Sequence, residues 1–151
     1  MKKILLFVLS LVLIPSFANA DKPHGPKATE VKVSVGTKDG QMKFVPSNLT
    51  FERGNYYKLV ITNPSSEDHY FTSDALSTHV FTRKVEVMDK AGNTLAEIHG
   101  AIHDMELKPD VSVAWYFFPM TKGNEIKLYC HKKGHQEHGM VGTIDIVGDL
   151  K

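Results

Sequence analysis

The fourteen residues from Tyr129 to Gly142, Tyr-Cys-His-Lys-Lys-Gly-His-Gln-Glu-His-Gly-Met-Val-Gly, constrain this chain more than any other stretch. They hold its only cysteine, three histidines and a methionine, and they lie between two runs with strand character, Glu125 to Tyr129 and Thr143 to Val147. A loop joining two strands is thus loaded with soft donor atoms. Cys130, His135 and Met140 recur at five-residue intervals, C-x4-H-x4-M. A thiolate, an imidazole and a thioether offered together select copper over magnesium, calcium or manganese. A trigonal Cys-His-His set with a weak axial methionine needs a second histidine. His69, in Asn63-Pro-Ser-Ser-Glu-Asp-His-Tyr-Phe71 after another strand-like run, supplies it. Singly, a cysteine is most often a small buried hydrophobe and a methionine core filling, so the joint occurrence is what points to a metal. His138 is the rival ligand inside the loop, with the spacing Cys-x7-His-x-Met.

At these residues the sequence resembles the cupredoxins, the blue (type 1) copper proteins, and its C-x4-H-x4-M loop is most similar to rusticyanin-like members. The resemblance favours His135 over His138. It continues in Phe44-Val-Pro-Ser-Asn-Leu-Thr-Phe51, followed by Gly54 and Lys58-Leu-Val-Ile-Thr-Asn63, which is similar to the first sheet of such a domain. It implies an all-β, Greek-key β-sandwich holding one Cu(I)/Cu(II) per chain on His69, Cys130, His135 and Met140. It further implies a one-electron carrier with the ring edge of His135 near the surface, in an apolar patch including Val141 and flanked by Lys132, Lys133 and Glu137. Such a patch suits brief docking to a cytochrome or a copper oxidoreductase. Members commonly place a small polar residue after the first histidine to tie the two ligand loops together. Here that residue is Tyr70, whose backbone N–H can still donate to the Cys130 sulfur.

Met1 to Ala20 carries Lys2 and Lys3, an apolar run from Ile4 to Ile14 and Ala18-Asn19-Ala20, which reads as a signal peptide cleaved after Ala20. The run is short of the ~20 residues that span a bilayer, so no stable membrane insertion is expected, and the protein is expected in the periplasm. Without Lys2 and Lys3, 16 basic residues face 17 acidic ones, a balance that suggests no nucleic-acid partner. In an oxidising compartment a structural cysteine normally has a partner, and Cys130 has none. A metal accounts for its staying reduced. A single thiolate also excludes a binuclear centre bridged by two.

Residues 21–29 form a leader with Pro23, Gly25 and Pro26, in which His24 is expected in solvent, and one domain occupies 30–151. Glu30 to Val35 alternates Val31, Val33 and Val35 with polar residues, the period of a half-buried strand. Tyr56 to Asn63, Phe81 to Met88 and Thr94 to His99 read as further strands, the last two joined by the turn Asp89 to Asn93. Val111 to Phe118 is apolar on both faces, marking a central strand, with Trp115 anchoring the core. The only helical run is Asp74 to His79. Seven or eight short strands with regular turns predict a Greek-key sandwich. His99 and His103 are four apart, but Gly100 and strand-like flanks make them surface or packing residues.

Two other classes stand beside the carrier. A periplasmic protein for copper delivery or resistance is favoured by the extra His131 and His138 and opposed by the scattered methionines. An enzyme such as a copper nitrite reductase would need a second domain or a second copper, so no enzyme activity is expected.

Overall fold

The computed structural model describes residues 26–150. The signal-peptide reading of Met1 to Ala20, and His24, lie outside the described residues. Eleven strands and one helix follow in chain order. They are β1 (Thr29–Val35), β2 (Phe44–Val45), β3 (Asn48–Glu52), β4 (Tyr57–Thr62), β5 (His69–Thr72), α1 (Asp74–His79) and β6 (Val80–Met88). The rest are β7 (Thr94–Ile98), β8 (Asp104–Leu107), β9 (Ser112–Pro119), β10 (Gly123–Tyr129) and β11 (Val141–Val147). The expected leader ends a residue early, since Thr29 already pairs with Tyr57.

The strands form two facing mixed sheets, a six-stranded one in the order β2-β1-β4-β9-β6-β7 and a five-stranded one in the order β3-β11-β10-β5-β8. Two pairs run parallel: β1 with β4, and the early β3 with the last strand β11, where Leu49 lies opposite Ile144 and Phe51 opposite Ile146. The expected sandwich is observed, with more strands than the seven or eight anticipated. The surplus has a local cause. The run from Met42 to Phe51 divides into β2 in one sheet and β3 in the other, and β5 and β8 are four-residue strands too short to show a period.

Alternation sets what each strand buries, because successive side chains point to opposite faces. In β4 this places Tyr57, Leu59 and Ile61 inside, and in β3 Leu49 and Phe51. β9 lies between β4 and β6, as its two apolar faces predict, and buries Val113, Trp115 and Phe117. Its other face is covered by neighbours: Phe118 stacks on Tyr56 at 4.6 Å, and Lys84 lies over the Tyr116 ring at 5.2 Å. Inside, Phe51 meets Phe117 and Tyr57 edge-on at 5.1 and 5.0 Å, and the Trp115 indole N–H donates to Thr82 Oγ1 at 3.0 Å. Aromatic residues therefore bring the large apolar areas that hold the sheets together, and the indole is buried without an orphaned donor. By contrast, β7 is an edge strand exposed at every residue.

Phe51→Ala should lower unfolding free energy by about 3–5 kcal/mol through lost burial and a residual cavity. Phe81, 60% exposed, should tolerate alanine to within about 0.5 kcal/mol. Urea denaturation of both variants checks the contrast; equal losses would show that the core is misplaced.

Candidate metal centre

The sandwich's inward rows end in donor atoms. In β5 His69 and Phe71 face inward. In β10 Ile126 and Leu128 do, and the same period continued past the strand end points Cys130 the same way. Read backwards from Ile146 and Ile144 of β11, the period reaches Met140. Three of the four predicted ligands thus sit where core positions would be. The fourth, His135, comes from the turn between β10 and β11. Its N–H donates to Lys132 O at 3.0 Å, and its carbonyl accepts from the Met140 N–H at 2.9 Å.

The structure brings His69, Cys130 and His135 together, with their donor atoms all within 4.8 Å of one another. His69 Nδ1 stands 3.2 Å from His135 Nδ1, which is 3.4 Å from Cys130 Sγ. Relative exposures are 2%, 0% and 3%, and Met140 is fully buried. Met140 also accepts the Cys130 N–H on its carbonyl at 3.2 Å, so the loop's ends are locked to each other. Two buried imidazoles and a thiol whose donor atoms lie so close together are costly to bury with few partners beyond one another. A soft cation would satisfy all three at once, and this donor set fits copper. The Tyr70 N–H donates to Cys130 Sγ at 3.3 Å, the bond that the sequence allowed.

Burial pushes both imidazoles below their ordinary value. For His69 the positive fields of His135 and Lys132 add to it, and for His135 that of Lys132. Both rings are therefore held neutral, the form that ligates a metal.

The His69 loop is held by residues that the sequence reading passed over. Asn63, fully buried, donates through Nδ2 to Glu67 O at 2.7 Å and Leu107 O at 2.8 Å, while its Oδ1 accepts from Ser65 N and Oγ at 3.0 and 2.8 Å. Leu107 is the register partner of His69, so this amide fixes the loop against the strand beside the ligand. The Asn-Pro-Ser-Ser run was the available signal, since Asn and Ser side chains build such turns. Lys132 joins the two ligand loops through Glu67 Oε2 at 3.1 Å and Asp68 O at 3.3 Å. Gly36, at φ +80°, lies so close behind His69 that a Cβ there would come within 2.5 Å of Nε2.

Other histidines lie elsewhere. His131 turns outward, with Nδ1 3.1 Å from Thr72 Oγ1 and its ring 3.9 Å from that of Tyr70. His138 is exposed and bonds Gly134 O. His99 and His103 are separated, His99 facing Glu97 and His103 facing Ser77 Oγ, as their reading as surface or packing residues predicts. His135 is 3% exposed, while Val141, the residue after Met140, is 43% exposed.

No family model matches the sequence, and no curated protein matches it. Solved structures do match the fold. A multicopper oxidase from Campylobacter jejuni, described as a metallo-oxidase, aligns over 83% of this chain at TM-score 0.58 and 16% identity. A Cu-containing nitrite reductase from Thermus scotoductus aligns over 84% at TM-score 0.55 and 16% identity. The chain spans 31% and 32% of those two proteins. Dithionite-reduced auracyanin from the photosynthetic bacterium Roseiflexus castenholzii aligns over 81% of this chain and all of its own, at TM-score 0.53 and 15% identity. The fold is cupredoxin-like.

Because the folded rings bind protons less readily than the unfolded ones, acid favours unfolding. The metal-free protein should keep its full melting temperature above pH 6.5, the ordinary imidazole value, and lose stability progressively below it. Melting curves on His69→Phe should show a weaker dependence; an identical one would remove the imidazole as its source. Gly36→Ala should weaken metal affinity by about 10-fold or more by displacing His69. Gly40→Ala, also at positive φ but with nothing within 4 Å, should bear the strain without that loss in the same copper titration.

Proposed function

We propose that this protein is an exported, single-copper electron carrier. The observation that carries the reading is the convergence of two imidazole nitrogens and a thiol sulfur in a closed pocket. Bound copper would supply a Cu(I)/Cu(II) couple and so take up or release one electron. The chain's own residues do the rest. His69, Cys130 and His135 would hold the ion through two imidazole nitrogens and a thiolate, and Met140, just before β11, would add a weakly binding thioether. The Asn63 amide, the Lys132–Glu67 pair and the Tyr70 N–H restrict movement of these donors, so that either oxidation state meets nearly the same geometry. Small rearrangement favours fast electron exchange.

Burial of all four proposed ligands to 3% exposure or less supports a carrier, whose ion would be held away from bulk water. The redox partner would be a cytochrome or a copper oxidoreductase docking briefly at the ligand-bearing end. Export to the periplasm is supported by the sequence of Met1 to Ala20. Among the described residues, no helix is long and apolar enough to cross a membrane. A copper-delivery protein is the competing reading, and the axial residue separates the two.

Copper-loaded protein should show an intense visible thiolate-to-copper band that Cys130→Ser abolishes. Met140→Gln should lower the reduction potential and Met140→Leu should raise it, both with colour retained, by voltammetry. A colourless wild type would sink the assignment. Unchanged potentials, with Cu(I) lost more readily to a chelator, would favour delivery over electron transfer.

A further inference from the structure

The candidate centre is closed, with every proposed ligand at 3% exposure or less, so an arriving ion has to be received outside it first. At the ligand loop an open groove is lined by Gly40, Gln41, Met42, Lys43, His138 and Gly139. One wall is the turn after β1; the other is the ligand loop itself, immediately before Met140. Met42 and His138 thus line one groove beside the loop that carries three of the buried donors.

His138 has the attributes of a prepared ligand. Its Nδ1 lies 2.5 Å from Gly134 O. A carbonyl can only accept, so Nδ1 is the donor, and the neutral form of the ring with this bond has its lone pair on Nε2. A histidine whose second nitrogen donates to a backbone carbonyl is the usual arrangement around metals, because that bond fixes tautomer and ring direction. Yet Nε2 has no protein partner among the described residues, and the side chain is exposed. Met42 is half-buried against the core, which anchors its stem while leaving it on the groove wall. Thioether and imidazole together hold Cu(I) in preference to hard cations.

We propose that Met42 and His138 form an accessory soft-metal site that receives Cu(I) for the buried centre. The assignment rests on the copper reading for its purpose, while its binding is measurable without it. Transfer from groove to centre is ligand exchange, in which the ion keeps its charge and no electron moves. Lys43 on the same wall opposes a bare cation and favours arrival as an anionic thiolate complex of Cu(I).

The probe is Ag(I), a redox-inert soft cation, titrated into metal-free full-length protein and followed by calorimetry and by the histidine ring signals in NMR. Wild type should take two equivalents, the weaker one moving the His138 signals. His138→Ala and the volume-conserving Met42→Leu should each lose the weaker equivalent while keeping the tight one. Both should also take up copper from a Cu(I)–thiolate complex more slowly, and reach the wild-type visible spectrum once loaded and oxidised. A single equivalent in wild type would overturn the proposal, as would a second one retained in both variants. Equal movement of the His79 and His99 signals would mean adventitious histidine binding and overturn it too. Two silver equivalents with no coloured Cu(II) form would leave the accessory site standing and defeat the copper reading instead.

Discussion

The structure depends on one constraint: the inward rows of a β-sandwich must be filled, and at one end of this sandwich they are filled with polar donors. His69, Cys130 and Met140 occupy positions that the alternation of β5, β10 and β11 assigns to the interior, and His135 is folded in above them. A core row ending in leucine would need only packing. A row ending in imidazole and thiol needs partners, and these groups find each other and the Tyr70 N–H. The closeness of the two Nδ1 atoms is thus enforced by the sheets. The sheets are in turn held by the aromatic contacts around Phe51, Phe117 and Trp115.

Much of this was legible in the sequence, for reasons that differ from element to element. β1 announced itself by alternation, and β9 by an apolar content that only a central strand can bury. The loop from Cys130 to Met140 was readable because soft donors are scarce and their clustering is chemically narrow. β5 and β8 were invisible, since four residues cannot display a period, and both are stabilised by pairing with strands distant in sequence. The burial of His135 was hidden as well. It depends on how the turn folds, with the His135 N–H on Lys132 O and the Met140 N–H on His135 O, and local composition carries no record of that. Gly36 could be recognised as a turn residue, whereas its service as the wall behind His69 needs the three-dimensional neighbour.

The resemblances to oxidase, reductase and auracyanin structures are likenesses of fold at 15–16% identity. What they share with this chain is the fold. This chain's own details are the Tyr70 ring packed on His131, the Lys132–Glu67 clamp and the fully bonded Asn63. Each secures one ligand loop to something outside it.

The parallel pairing of β3 with β11 has a consequence for how the molecule is made. Leu49 and Ile144 meet across most of the domain, and contacts so distant in sequence are closed late and slowly. During synthesis His69 emerges long before Cys130 and Met140, and it has no companions until the final hairpin docks. The complete donor set therefore comes together only when the final hairpin has docked, and with it β11 beside β3.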